Sequence, residues 1–149
     1  MLHKPKTASA PASMTPRQIT LGFYAAAAVN VVGVLGVSQL YSNTLLNAGY
    51  PAVFSNFGLV CIQLWGLAYF SVAKSYAAVP GLIGVFAVEK LAYVISWALW
   101  MSGHASELPA MAAASPQTAA FYAGYGLIDL AFGVFFAAVA FSAGKPRPS

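Results

Sequence analysis

Four long apolar runs, residues 19–40, 52–73, 81–101 and 119–141, constrain this chain more than any motif in it. Each is close to the ~20 residues that carry an α-helix across the hydrocarbon of a bilayer. None alternates polar and apolar positions as the ~10-residue strands of membrane barrels do. The expected fold is therefore all-α, a polytopic integral membrane protein built as a four-transmembrane-helix bundle. Composition points the same way. Only 7% of residues are charged, against roughly a quarter in soluble domains, and so few charges cannot cover a water-facing surface.

Punctuation along the chain supports the count. Pro16, Pro51, Pro80 and Pro116 each stand just ahead of an apolar run, and no proline lies inside one. Proline suits the first helical position, where its missing N–H has no intrahelical role. The pattern predicts four unbroken helices and argues against the interrupted helices of many transporters. The Ala-, Ser-, Pro- and Lys-rich residues 1–14 have no apolar period and read as a disordered cytoplasmic tail. Residues 15–143 form the helical domain, and 144–149 form a second cytoplasmic tail after Gly144. The first run exceeds the 7–15 residues of a signal-peptide core and carries Asn30 at its middle, so it is expected to be kept as a span.

Charge sets an orientation. Lys4, Lys6 and Arg17 precede the first run, Lys74 separates the second and third, and Lys145 and Arg147 follow the fourth. Residues 41–51 and 102–118 contain no Lys or Arg. The positive-inside rule then places both termini and the Lys74 turn in the cytoplasm. The net charge of +4 is accounted for by this topology; the basic residues form no nucleic-acid motif, and no nucleic-acid partner is expected. A bacterial cell inner membrane is the expected location. Aromatic residues near the run ends, Tyr41, Tyr50, Trp97, Trp100, Phe121 and Tyr122 outside and Tyr69, Phe70 and Tyr76 inside, suggest interfacial belts.

Polar residues within the runs fall at one depth: Asn30, Gln63, the Glu89-Lys90 pair and Asp129. A charge at the bilayer centre costs at least ~2.5–3.5 kcal/mol, so such groups turn inward and find partners. Neighbouring helical residues point about 100° apart. Glu89, on one stripe with Tyr93, Ser96 and Trp100, is expected to face the interior. Lys90 is expected at a helix seam where it pairs with Asp129. Two carboxylates share one ammonium, which leaves one without a cationic partner and marks where a proton-linked function would start. The stripes Ala26, Asn30, Gly33, Val37 and Tyr122, Gly126, Asp129, Gly133 have small residues at helical spacing and are expected to pack on each other.

Other chemistry is weakly signalled. Cys61 is the single cysteine; it excludes paired-thiol chemistry and is expected to pack as a small apolar residue. Met101, His104, Glu107 and Met111 match no established metal spacing. No phosphate-binding loop, nucleophile elbow or zinc-protease motif is present, so neither cofactor nor metal is expected. Small multidrug exporters carry a carboxylate in their first helix, where this chain has Asn30. The size resembles that of DoxX-like bundles in architecture alone, which carries no function.

Two functions fit these features. The first is a non-catalytic, permease-like component or accessory subunit of a membrane complex, homo-oligomeric or joined to a partner, whose midplane layer handles protons or a small solute. The second is an integral-membrane enzyme acting on a lipid-like substrate. In it a buried carboxylate supplies acid/base chemistry, Tyr93 or Tyr125 assists, and Trp97 or Trp100 stabilises a cationic intermediate.

Overall fold

A computed structural model describes residues 14–144. The two tails expected at the chain ends, with Lys4, Lys6, Lys145 and Arg147, lie outside the described residues except for Met14 and Gly144. Among the described residues the chain is all-helical, without strands. Its elements are α1 (Pro16–Val37), α2 (Thr44–Gly49), α3 (Pro51–Phe54), α4 (Asn56–Val72), α5 (Pro80–His104), α6 (Leu108–Ala114) and α7 (Pro116–Ala143). By length and composition three stretches, Pro16–Val37, Pro80–Ala114 and Pro116–Ala143, suffice to cross a membrane.

Each opening proline sits in the first turn of a helix. Thr15 and Gln18 add a reciprocal cap at the start of α1, and Ser115 accepts from the Thr118 N–H at the start of α7. Such caps satisfy backbone donors that have no intrahelical partner.

The second run is shorter than its apolar length suggests. Pro51 opens only the single turn α3, after which Ser55 leaves helical geometry and caps α4 through the Gly58 N–H. Helix α4 then has 17 residues, a length of about 26 Å at 1.5 Å per residue. Ser55 and Gly58, which look like small residues inside an apolar run, act as a helix start. Gly58 is obligatory there, because a Cβ would stand 2.1 Å from the Val53 carbonyl oxygen.

Helix α1 is continuous but not regular, for Val29–Gly33 is wound as a π-helix. Gln63 of α4 donates to the Val31 carbonyl at 3.3 Å. The same carbonyl also accepts from the Val34 N–H, so Gln63 braces the wound segment from the neighbouring helix. Past Val37 the chain turns through Gln39, Leu40 and Tyr41, three consecutive non-glycine residues with positive φ. Asn43 ties this turn down, donating to the Val37 carbonyl and the Thr118 hydroxyl while accepting from the Leu46 N–H.

Two apolar cores hold the bundle. At the end that carries Arg17 and Lys74, Phe23, Tyr69, Phe86 and Phe136 are packed against one another without solvent exposure. At the other end Leu46, Phe54, Leu59, Trp100 and Tyr122 form a second core. The outside is apolar as well: Leu64 and Leu67, Val88 and Leu91, and Leu127 and Val134 are exposed on three different helices. A helical surface hydrophobic on all sides suits lipid rather than water.

Aromatic residues expected in belts are thus partly core residues. Tyr69 and Tyr122 are fully buried and Trp100 is 2% exposed. Their positions near run ends reflect packing of one helix on another.

Candidate functional site

The polar layer lies between the two cores, and Lys90 is its hub. Its ammonium donates to Asp129 Oδ1 at 2.7 Å and to Asn30 Oδ1 at 3.1 Å. Glu89 Oε1 stands 3.9 Å away. Helices α1, α5 and α7 therefore meet at one side chain, itself only 1% exposed. Asn30 completes the link to the fourth helix by donating from Nδ2 to the Ile62 carbonyl at 3.2 Å. Its place in the π-wound segment lets one side chain serve α4 and α5 together.

The pairing of Lys90 with Asp129 agrees with the sequence expectation, but the division of roles differs. Lys90 stands at the α5–α7 seam, as expected, but is more deeply buried than Glu89. Glu89 lies instead on the side of α5 that faces α4, where its Oε2 accepts from the Tyr69 hydroxyl. Tyr69 also offers its ring face to the Lys90 ammonium at 5.4 Å, and Tyr93 does so at 5.9 Å. Tyr69 is the site residue that sequence reasoning missed. A signal existed: Leu59, Ile62, Gly66 and Tyr69 recur at helical spacing and form the buried face of α4.

Gln63 is level with the others but apart from them. It binds the Val31 carbonyl and accepts from the Tyr41 hydroxyl, so it stabilises α1 and its left-handed turn rather than the charges. The two tryptophans are also remote from the charges. Trp97 donates to the Tyr122 carbonyl at 3.0 Å and Trp100 to the Gly49 carbonyl at 2.9 Å. They lie about 12 and 16 Å along α5 from Glu89 by helical rise.

The expected packing of the α1 stripe on the α7 stripe is not what forms. Gly126 and Gly133 face α5, where a Cβ would meet the Trp97 ring at 2.2 Å and Lys90 Cβ at 3.3 Å. The α1 stripe approaches α4 through Gly66, whose Cβ would stand 2.9 Å from Asn30 Cβ. Close approach at glycine thus pairs α1 with α4 and α5 with α7, while α1 and α7 meet only toward their ends, through Gly22 and Phe23 on Phe135 and through Gln117 donating to the Gly36 carbonyl, and stand apart at mid-depth.

That separation is a cleft of about 200 Å³ lined by Asn30, Gly33, Lys90, Phe121, Tyr125 and Asp129 among others. Val29 and Ile128 at its edge are exposed. Tyr125 is 5% exposed, and its hydroxyl has no hydrogen-bond partner. A second groove, between α4 and α5, runs past Gly58, Cys61, Trp65, Glu89 and Tyr93. Glu89 Oε1 has no hydrogen-bond partner either. The half-buried Cys61 is part of that groove's wall.

No family model, curated protein or solved structure matches this chain. The site must be interpreted from its own chemistry. The Lys90 ammonium and the Asp129 carboxylate, with the Asn30 amide from a third helix, are reachable through an apolar cleft and can bind a polar group on an otherwise apolar molecule. They can also exchange a proton with it.

Proposed function

We propose that this chain crosses the bilayer four times with both ends cytoplasmic, and that its midplane layer is the binding centre of a permease-like component or accessory subunit. The fourth crossing is α4, lengthened at one end by α3. The shared inner core of Ile19, Ala73 and Val139 supports an even count, since it brings the start of α1, the Lys74 turn and the end of α7 to one face. Basic Arg17 and Lys74 at that face support a cytoplasmic assignment.

One observation carries the functional reading. Lys90, Asp129 and Asn30 line a cleft that opens sideways between α1 and α7. Ionic glue alone is best served by a closed seam, whereas a centre that handles solute needs a route to it. The small volume enclosed by four helices favours work beside a second copy or a partner chain. The sideways opening also suits the enzyme reading, with Glu89 and its donor Tyr69 as the acid/base pair. The remote, backbone-tethered Trp97 and Trp100 weaken the part of that reading that needs a stabilised cation.

Native mass spectrometry of the protein released from its own membrane tests the proposal. A retained small molecule or partner chain, lost with Asp129→Asn, is expected. A bare chain whose Glu89→Gln and Asp129→Asn forms support normal growth would contradict it.

A further inference from the structure

The cleft between α1 and α7 has a specific hydrogen-bonding character. Tyr125 presents a buried hydroxyl with no partner. Leaving such a group unpaired forfeits a hydrogen bond it would make in water, which a bound acceptor would recover. Lys90 adds a second donor: two of its N–H groups serve Asn30 and Asp129, and the third has no oxygen within hydrogen-bond reach, only Glu89 at 3.9 Å and the ring faces of Tyr69 and Tyr93. A carbonyl oxygen, with two lone pairs, accepts from two donors at once.

The walls indicate the rest of the molecule. Phe121 and Tyr125 stack at 5.2 Å, and Phe54 meets both edge-on at 5.0 Å. These three rings line one wall of the cleft, the stacked pair and the edge-on Phe54 together giving it an aromatic surface. On either side Gly33 and Gly124 leave space, and a Cβ at Gly124 would meet nothing within 4 Å. At about 200 Å³ the cleft is larger than the ~150 Å³ apolar cavity that takes up benzene. Lys90 and Asp129 offset each other's charge, so a charged guest would lose hydration with little in return.

We propose that this cleft binds a neutral, membrane-soluble ketone of one or two rings, entering sideways past Val29 and Ile128, with its oxygen held by Tyr125 Oη and Lys90 Nζ. The proposal rests on the midplane layer being a solute centre and names the solute's chemical class. The ester carbonyl of a bilayer phospholipid offers the same oxygen, but its attached glycerol and chains exceed the cleft.

Benzophenone, a neutral aryl ketone that crosslinks on illumination, is a direct probe. The intact protein in lipid nanodiscs is photolabelled, and the label is mapped by peptide mass spectrometry. Label is expected on residues 29–34 and 120–129 and is expected to be displaced by excess acetophenone. Gly124→Leu, which fills open space, should lower it at least ~10-fold, and Tyr125→Phe by roughly 5- to 10-fold, the factor for one lost hydrogen bond. Gly33→Leu blocks the same cleft from the opposite wall and serves if the first variant does not fold. Labelling outside the cleft, or unchanged in a folded Gly124→Leu or Gly33→Leu protein, overturns the proposal. So does a co-purified phospholipid that benzophenone does not displace, which would make the cleft a lipid seat. A small molecule retained by the native protein, with no benzophenone label in the cleft, would refute the ketone class and leave the solute centre standing.

Discussion

Lys90 Nζ and Asp129 Oδ1 lie 2.7 Å apart across the α5–α7 seam, and this contact joins the tightest helix pair of the bundle to its polar centre. Asp129→Asn removes the nearest counter-ion and leaves a buried ammonium with Glu89 at 3.9 Å. Breaking one side of a buried pair costs about 3–5 kcal/mol. The expected result, read by denaturant titration in micelles, is a loss near the lower end of that range.

Tyr69→Phe tests the contact that links α4 to the charges. It deletes the donor to Glu89 Oε2 while Oε1 already has no hydrogen-bond partner. A loss of about 1–3 kcal/mol is expected. In a Glu89→Gln background the same substitution should cost less, because the charged acceptor is gone. Equal losses in both backgrounds, measured as a double-mutant cycle, would show that Tyr69 acts through packing alone.

Glycines separate close packing from open surface. At Gly126 a Cβ would fall 2.2 Å from the Trp97 ring, which is held by its bond to the Tyr122 carbonyl. Gly126→Ala should therefore lower stability by about 1–3 kcal/mol. At Gly84 a Cβ meets nothing within 4 Å, and Gly84→Ala should raise stability by about 0.5–1 kcal/mol. Thermal midpoints of the two variants are expected to move in opposite directions.

Topology is testable with single cysteines in a Cys61→Ser background. Lys74→Cys and Ser106→Cys place thiols at exposed positions at opposite ends of α5. An impermeant maleimide added to intact cells should modify Ser106→Cys and spare Lys74→Cys until the membrane is opened. Equal labelling before lysis would reject the four-crossing orientation.

Much of this architecture was legible because apolar length, opening prolines and midplane polarity are local signals. Lys90 and Asp129 could be paired from depth alone, since a charge in hydrocarbon must find a partner. What remained hidden depends on how helices choose neighbours. Gly126 and Gly133 marked a close approach but not whether α1 or α5 would make it. Tyr69 looked like a belt residue because its distance from the run end is visible, whereas its facing toward Glu89 arises only when α4 docks on α5. Ser55 passed as part of a span because a cap inside an apolar run has the composition of a helix interior. The π-winding at Asn30 is braced by a side chain from another helix, Gln63, and leaves little local trace.

The most direct test removes the charges without removing the packing. In the triple variant Glu89→Gln, Lys90→Met, Asp129→Leu the centre is neutral, and replacing buried ions with apolar groups is often neutral or stabilising. The variant is expected to unfold within about 1 kcal/mol of the parent. Its content of retained small molecule, by native mass spectrometry, should fall at least ~10-fold, a binding loss of 1.4 kcal/mol or more. A folded triple variant that retains the molecule as well as the parent does would contradict a functional role for Lys90 and its partners.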